Sequence, residues 1–188
     1  MKALTVVSGK GGVGKSSIAA SLAYMFSKDR EVVTADCDVD ASNLALILGV
    51  RELDKKEEIS TNEKAFLDRE KCTSCGKCRD VCAFSAIKWD HEDNKPEINK
   101  YLCEGCGACE LICPEGAYKL KEVKNAVVGE SITDYGFPIV SGQLKMGESG
   151  SGKVVTEVKK RAQGKEGELL LVDSAAGIGC PVIASVRG

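Results

Sequence analysis

The sequence predicts an α/β protein: a doubly wound, mostly parallel sheet interrupted by a small inserted α+β module. Three observations carry this. Two short β-branched apolar runs, at 4–8 and 31–35, lie close together, and the first leads through a glycine-rich loop into a helical pattern. A third apolar run, at 168–172, ends on an acid. Between them, eight of the ten cysteines crowd into residues 72–113.

The chain of 188 residues has room for one ordinary domain and a small second one. Apolar residues at 43% against charged residues at 29% support a packed core and exclude wholesale disorder. A net charge of −2 excludes a generic basic nucleic-acid surface. No apolar run approaches 18 residues, so no membrane segment is expected. The opening M-K-A-L-T-V-V-S-G-K turns glycine-rich too soon for a signal peptide, which implies a cytoplasmic, reducing location. Ten cysteines there point to metal or redox chemistry and not to a disulfide framework.

The run from Leu4 enters S-G-K-G-G-V-G-K-S-S, Ser8 to Ser17. Ile18, Leu22, Ala23, Met25 and Phe26 then recur at helical spacing. Strand, glycine loop and helix together make G-x4-G-K-S a phosphate-binding P-loop. The backbone N–H groups of Gly11, Gly12, Val13, Gly14, Lys15 and Ser16 would turn onto the phosphates, helped by the helix N-terminus. Lys15 would sit between the β- and γ-phosphates, Ser16 Oγ would ligate Mg²⁺, and Ser17 would add a phosphate contact. The bland alternative is a glycine turn that binds nothing.

The second strand ends in D-C-D-V-D. Asp36, Asp38 and Asp40 at the end of a buried strand suit Mg²⁺ and water better than packing. A solvated acidic turn is the alternative, above all for Asp40. Residues 51–64 are charge-rich and read as a solvated connector. The boundaries are therefore 1–64 and 123–188 for the P-loop domain and 65–122 for the insert.

Inside the insert the cysteines form Cys72-x2-Cys75-x2-Cys78-x3-Cys82 and Cys103-x2-Cys106-x2-Cys109-x3-Cys113. Seven of 17 positions are identical between 72–88 and 103–119, which makes this an internal duplication. The spacing is that of two-cluster ferredoxins, in which the fourth cysteine of each run ligates the other cluster. One [4Fe–4S] cluster is thus assigned to Cys72, Cys75, Cys78 and Cys113, the second to Cys103, Cys106, Cys109 and Cys82. Gly76, Gly105 and Gly107 suit the tight loops. Pro114 follows the last ligand, whereas Ala83 stands at the matching place in the first run. Structural zinc is the alternative, but zinc sites favour two separated C-x2-C pairs, often with histidine. His91, the single histidine, reads as a surface residue in a loop shared with Trp89.

In the second half, 151–161 reads as a capped amphipathic helix after the flexible G-E-S-G-S-G loop. The apolar run 168–172 reaches Asp173 and then S-A-A-G-I-G-C-P-V. Cys37 and Cys180 stand alone and read as small buried hydrophobes.

Lys10, a second lysine inside the loop, gives the chain a resemblance to the MinD/ParA-type ATPases, the nitrogenase iron protein and the Mrp-like cluster carriers. That resemblance covers nearly the whole chain. It implies ATP with Mg²⁺ as ligands and a homodimer in the ATP state, with Lys10 reaching the partner's nucleotide as an arginine finger does. It implies that Asp38 orients the attacking water, that Asp36 holds Mg²⁺ through water, that Asp40 lies near the partner subunit, and that Asp173 is the Walker B-like carboxylate. Ser174-Ala175-Ala176 replaces the prolines of the family's second switch. Cys180, seven residues past Asp173, matches the distance of a cluster-ligating cysteine in the nitrogenase iron protein. The family's domain continues beyond V-I-A-S-V, so a shortened sheet with an exposed edge is expected.

The expected function is an ATPase coupling nucleotide state to electron transfer through two [4Fe–4S] clusters, toward an unidentified redox or apoprotein partner. The alternatives are an iron–sulfur cluster carrier, a MinD/ParA-like regulatory ATPase with a redox-sensing insert, and a plain ferredoxin with an inert P-loop.

Overall fold

Strand β1 (Lys2–Ser8), helix α1 (Lys15–Phe26) and strand β2 (Val32–Cys37) follow the order expected from the apolar runs. The computed structural model describes residues 1–187. The chain divides into two units, one of 1–59, 125–146 and 150 onward, the other of 60–124 with 147–149.

The first unit is built on six strands: β1, β2, β3 (Lys55–Ile59), β8 (Ala126–Ile132), β9 (Pro138–Leu144) and β10 (Leu169–Ala176). Their order is β1-β10-β2-β9-β8-β3. The first four of that order run parallel; on one flank β8 pairs antiparallel with β9, and β3 pairs antiparallel with β8. β2 is buried throughout and β10 nearly so, as parallel strands covered on both faces must be. One face packs Val33, Val140, Leu170 and Val172 against Val154, Val155 and Val158 of α5 (Ser151–Gln163). The other packs Val32, Ile139 and Leu171 against α1 and the short α2 (Leu44–Ile47). β1 is an edge strand with Leu4 and Val7 exposed.

Several expectations are corrected here. The buried stripe of α1 is Ala19, Ala20 and Ala23, while Ile18 and Met25 are exposed: the small side chains let the helix lie close to the sheet. α5 starts after Gly150, which takes a left-handed φ of 94° and leaves no side-chain cap on the helix. The charge-rich stretch 51–64 is not a plain connector. It contains β3, whose K-K-E-E face is solvated because it is the sheet's far edge, where charge discourages further pairing. The β8–β9 hairpin escaped the sequence reading. Its turn is closed by Thr133 and Phe137, with Gly136 left-handed.

The second unit contains β4 (Asn62–Leu67), α3 (Lys77–Val81), β5 (Ile87–Asp90), β6 (Lys95–Ile98), α4 (Ala108–Ile112) and β7 (Tyr118–Val123). β4 pairs with β7 from Asn62↔Val123 to Leu67↔Tyr118, so the unit extends beyond 65–122 on both sides. Trp89 and Asp90 belong to β5, not to a loop. The duplication recurs in the backbone. α3 follows Gly76 at φ 80° and α4 follows Gly107 at φ 79°. Ala86 N donates to Cys82 Sγ and Ala117 N to Cys113 Sγ, both at 3.3 Å.

Candidate nucleotide site and cysteine cavities

The loop between β1 and α1 borders an open cleft, lined by Ser8, Gly11, Gly12, Val13, Gly14, Lys15, Ser16 and Ser17 on one side. Asp38, Ala41, Asn43, Ile47 and Ala176 complete it. Gly12 and Gly14 take φ of 76° and 87°, which a side chain resists, and this turns successive N–H groups to one side. Lys15 Nζ donates to Asp173 Oδ1 at 2.8 Å and lies 3.6 Å from Asp38 Oδ2. Asp173 is fully buried in β10, and its Oδ2 has no hydrogen-bond partner among the described residues. Burial pushes the Asp38 carboxyl up against the opposing pull of Lys15.

Asp36 departs from expectation. It is fully buried, and its oxygens accept from Ser42 Oγ (2.9 Å), Leu44 N (3.0 Å), Asp38 N (3.3 Å) and Ser141 Oγ (3.4 Å). Those donors commit it to holding the 38–44 loop, so it does not face the cleft as a magnesium ligand would. Burial, together with the nearby Asp173 charge, pushes its carboxyl up to about 6 against these hydrogen bonds. Lys10 and Asp40 are exposed, and Lys10 is outside the cleft lining.

In the second unit the cysteines surround two cavities. Cys72, Cys75, Cys78 and Cys113 line one. Cys82, Cys103, Cys106 and Cys109 line the other. Among the described residues no three His, Cys, Asp or Glu side chains converge on one point closely enough for a single ion. The thiols ring each space instead. Ala65 N also donates to Cys103 Sγ at 3.5 Å. Burial raises the Cys78 thiol, and pushes the Cys109 thiol up to about 11.

Sequence reasoning missed the other wall residues. Tyr118 and Trp89 line the first cavity, Phe84, Ile87 and Ile98 the second. The Tyr118 hydroxyl is buried beside the Cys78 thiol; burial and then that thiol hold its pKa far up. Aligning the two repeats at an offset of 31 would have marked 87 and 118 as equivalent. Cys37 is buried in the main core, where burial raises its thiol, as a small hydrophobe should be. Cys180 is exposed at the start of α6 (Cys180–Val186), contrary to expectation. Among the described residues no helix is long and apolar enough to cross a membrane.

Comparison with known proteins identifies relatives of this chain. The uncharacterised protein MJ0578 of Methanocaldococcus jannaschii is 44% identical over 184 residues, covering 98% of this chain and 63% of its own. MJ0579 of the same organism is 30% identical over 189 residues, covering 99% and 65%. The chain thus spans a little under two thirds of these relatives. The flagellum site-determining protein YlxH of Helicobacter pylori is 47% identical over 51 residues, 27% of this chain and 17% of its own. Among solved structures, the septum site-determining protein MinD of Pyrococcus horikoshii, complexed with Mg-ADP, aligns with a TM-score of 0.43 at 18% identity, covering 98% of this chain and 53% of that one. The family model of the CobQ/CobB/MinD/ParA nucleotide binding domain (CbiA) matches residues 4–168. The chain therefore belongs to the CobQ/CobB/MinD/ParA nucleotide binding domain family.

Proposed function

We propose that the protein is an ATPase that couples the nucleotide state of a homodimer to electron transfer through two [4Fe–4S] clusters. One observation carries the reading: the two cysteine sets expected from spacing each line one cavity, with no member exchanged. The donor set fits the group. Four thiols ring each space, and backbone N–H groups reach Cys82, Cys103 and Cys113, as cluster sulfurs require. When bound, the clusters supply reversible one-electron storage.

The P-loop residues divide the remaining work. Backbone N–H groups from Gly11 to Ser16 hold the phosphates, Ser17 adds a contact, and Ser16 Oγ serves Mg²⁺. Lys15 moves between Asp173 and the phosphates. Asp173 Oδ2, buried and without a partner among the described residues, would help hold Mg²⁺, which when bound would neutralise charge on the phosphates. Asp38 orients the water whose oxygen bonds to the γ-phosphorus as the bond to the β–γ bridging oxygen breaks, giving ADP and phosphate. Lys10, exposed at the loop tip, reaches the nucleotide of a second copy. Asp36 acts at one remove by fixing the loop that carries Asp38.

Saturated four-thiol sites favour electron transfer over cluster delivery, which needs weakly held ligands. A spatial-organisation ATPase is the second reading, favoured by the short match to the flagellum site-determining protein. An EPR redox titration of anaerobically reconstituted protein, with and without Mg-ATP, decides between them. Coupling of tenfold shifts a one-electron midpoint by about 59 mV. Two clusters with nucleotide-independent midpoints would overturn potential tuning, and failure to hold clusters would overturn the reading as a whole.

A further inference from the structure

The duplication relates the two cysteine cavities, so each wall residue within 72–88 or 103–119 has a counterpart 31 positions away. Where counterparts differ, the two cavities apply different fields to whatever they hold. Ile87 lines the cavity of Cys103 and its companions, and its counterpart Tyr118 lines the cavity of Cys78. Tyr118 is 2% exposed, and its buried hydroxyl lies against the Cys78 thiol, with no partner at full hydrogen-bond geometry among the described residues. A buried hydroxyl in that state is costly, and a native protein that keeps one has an acceptor for it. The sulfurs that ring the cavity supply that acceptor, with Cys78 adjacent. A second difference points the same way. Lys77 lines the Tyr118 cavity where the other has Ala108, and Thr73 lines it where the other has Glu104. A hydroxyl donor and a cation both favour an added electron, whereas a carboxylate opposes it.

On the reading that these cavities hold [4Fe–4S] clusters, we propose that Tyr118 donates a hydrogen bond to a sulfur of the Cys72, Cys75, Cys78 and Cys113 cluster, and that this cluster is the higher-potential one. Electrons entering at the Cys103 side would then settle on the Tyr118 side. Tyr118 is a positioning residue for charge; it titrates at no step.

The test is an EPR-monitored redox titration of the reconstituted full chain beside Tyr118→Phe. Cys75→Ser and Cys106→Ser variants assign the two waves. The wild type should show two separated midpoints, the higher belonging to the Cys75 cluster. Tyr118→Phe should lower that midpoint by about 59 mV, tenfold in the one-electron equilibrium, and leave the other in place. Lys77→Ala should lower the same midpoint by less. After exchange into D₂O, the Cys75 cluster should carry one more strongly coupled deuteron than its neighbour, absent in Tyr118→Phe. Two unmoved midpoints, or two equal shifts at full iron content, would overturn the proposal. If Tyr118→Phe loses iron, the wild-type deuteron comparison decides. If the wild type binds no iron and sulfide at all, the cluster reading itself falls and takes this inference with it.

Discussion

Lys15 Nζ lies 2.8 Å from Asp173 Oδ1, in a buried pair that joins the start of α1 to the middle of β10. Asp38 Oδ2 stands 3.6 Å away on the same ammonium. One lysine thus connects the phosphate loop to the middle of β10 and to the residue that follows β2. Phosphates entering the cleft must compete with Asp173 for it. Removing Lys15 leaves Asp173 an uncompensated buried charge, which costs about 3–5 kcal/mol, whereas removing Asp173 leaves Lys15 beside Asp38. Lys15→Ala should therefore lose stability of that order in urea titration, and Asp173→Ala less. Lys15→Ala should also lose ATP turnover by about 10²–10³-fold, the usual cost of removing one charge-stabilising donor.

Lys10 makes no corresponding contact within the cleft. If it serves a second copy, Lys10→Ala should keep nucleotide affinity, read by fluorescent nucleotide titration, and lose about 10³-fold in turnover. Mixing Lys10→Ala with Lys15→Ala should then restore activity, because the mixed dimer holds one site with an intact Lys15 and an intact partner Lys10. Two inactive variants that stay inactive when mixed would sink the cross-dimer role.

Asp36 gives a signed pH dependence. Its folded value, about 6, lies above the ordinary 3.8, so the native state binds more protons between those limits. Stability should fall as pH rises from about 4 to 6 and level off beyond, by about 3 kcal/mol at most. The raised Asp38 carboxyl adds a slope of the same sign. Asp36→Asn should flatten the dependence, measured as urea midpoints across that range. A stability that climbs through the window would contradict the assignment.

Two glycines in the cysteine loops should respond differently to alanine. Gly76 takes φ 80° with open space where a Cβ would stand, so Gly76→Ala should cost only local strain, about 1–3 kcal/mol. At Gly105 a Cβ would sit 2.1 Å from the Glu63 carbonyl oxygen, which is backbone and cannot swing away. Gly105→Ala should cost more and loosen the Cys103 cavity selectively. Melting temperature and iron content per chain measure both effects.

Much of the site was legible because its chemistry is local. The P-loop needs glycine at fixed offsets, and the cysteine sets need a spacing that a duplication repeats. What escaped depends on partners far along the chain. Asp36 is held in part by Ser141, 105 residues away, so its burial could not be read from D-C-D-V-D. The β8–β9 hairpin carries Pro138 and Gly142 within β9 and a five-residue turn, which blur the alternation that marks a strand. The charges at 55–58 signal an edge strand as readily as a linker, and only pairing with β8 distinguishes them. Tyr118 carries no local signal of its own; its distinction lies in the contrast with Ile87, its counterpart 31 positions earlier.

Ile59, the last residue of β3, pairs directly with Ala126, the first of β8, and Asn125 N donates to the Ile59 carbonyl at 3.2 Å. The cysteine-bearing segment therefore departs from the sheet and rejoins it at a single rung of one hairpin. To the nucleotide-binding sheet, the whole segment is an overgrown turn. Lengthening a closed loop adds entropy only logarithmically, so the sheet tolerates such an addition at little cost. Genetic gain or loss of the cysteine segment amounts to resizing one hairpin tip, with phosphate loop, Asp38 and Asp173 left where they are.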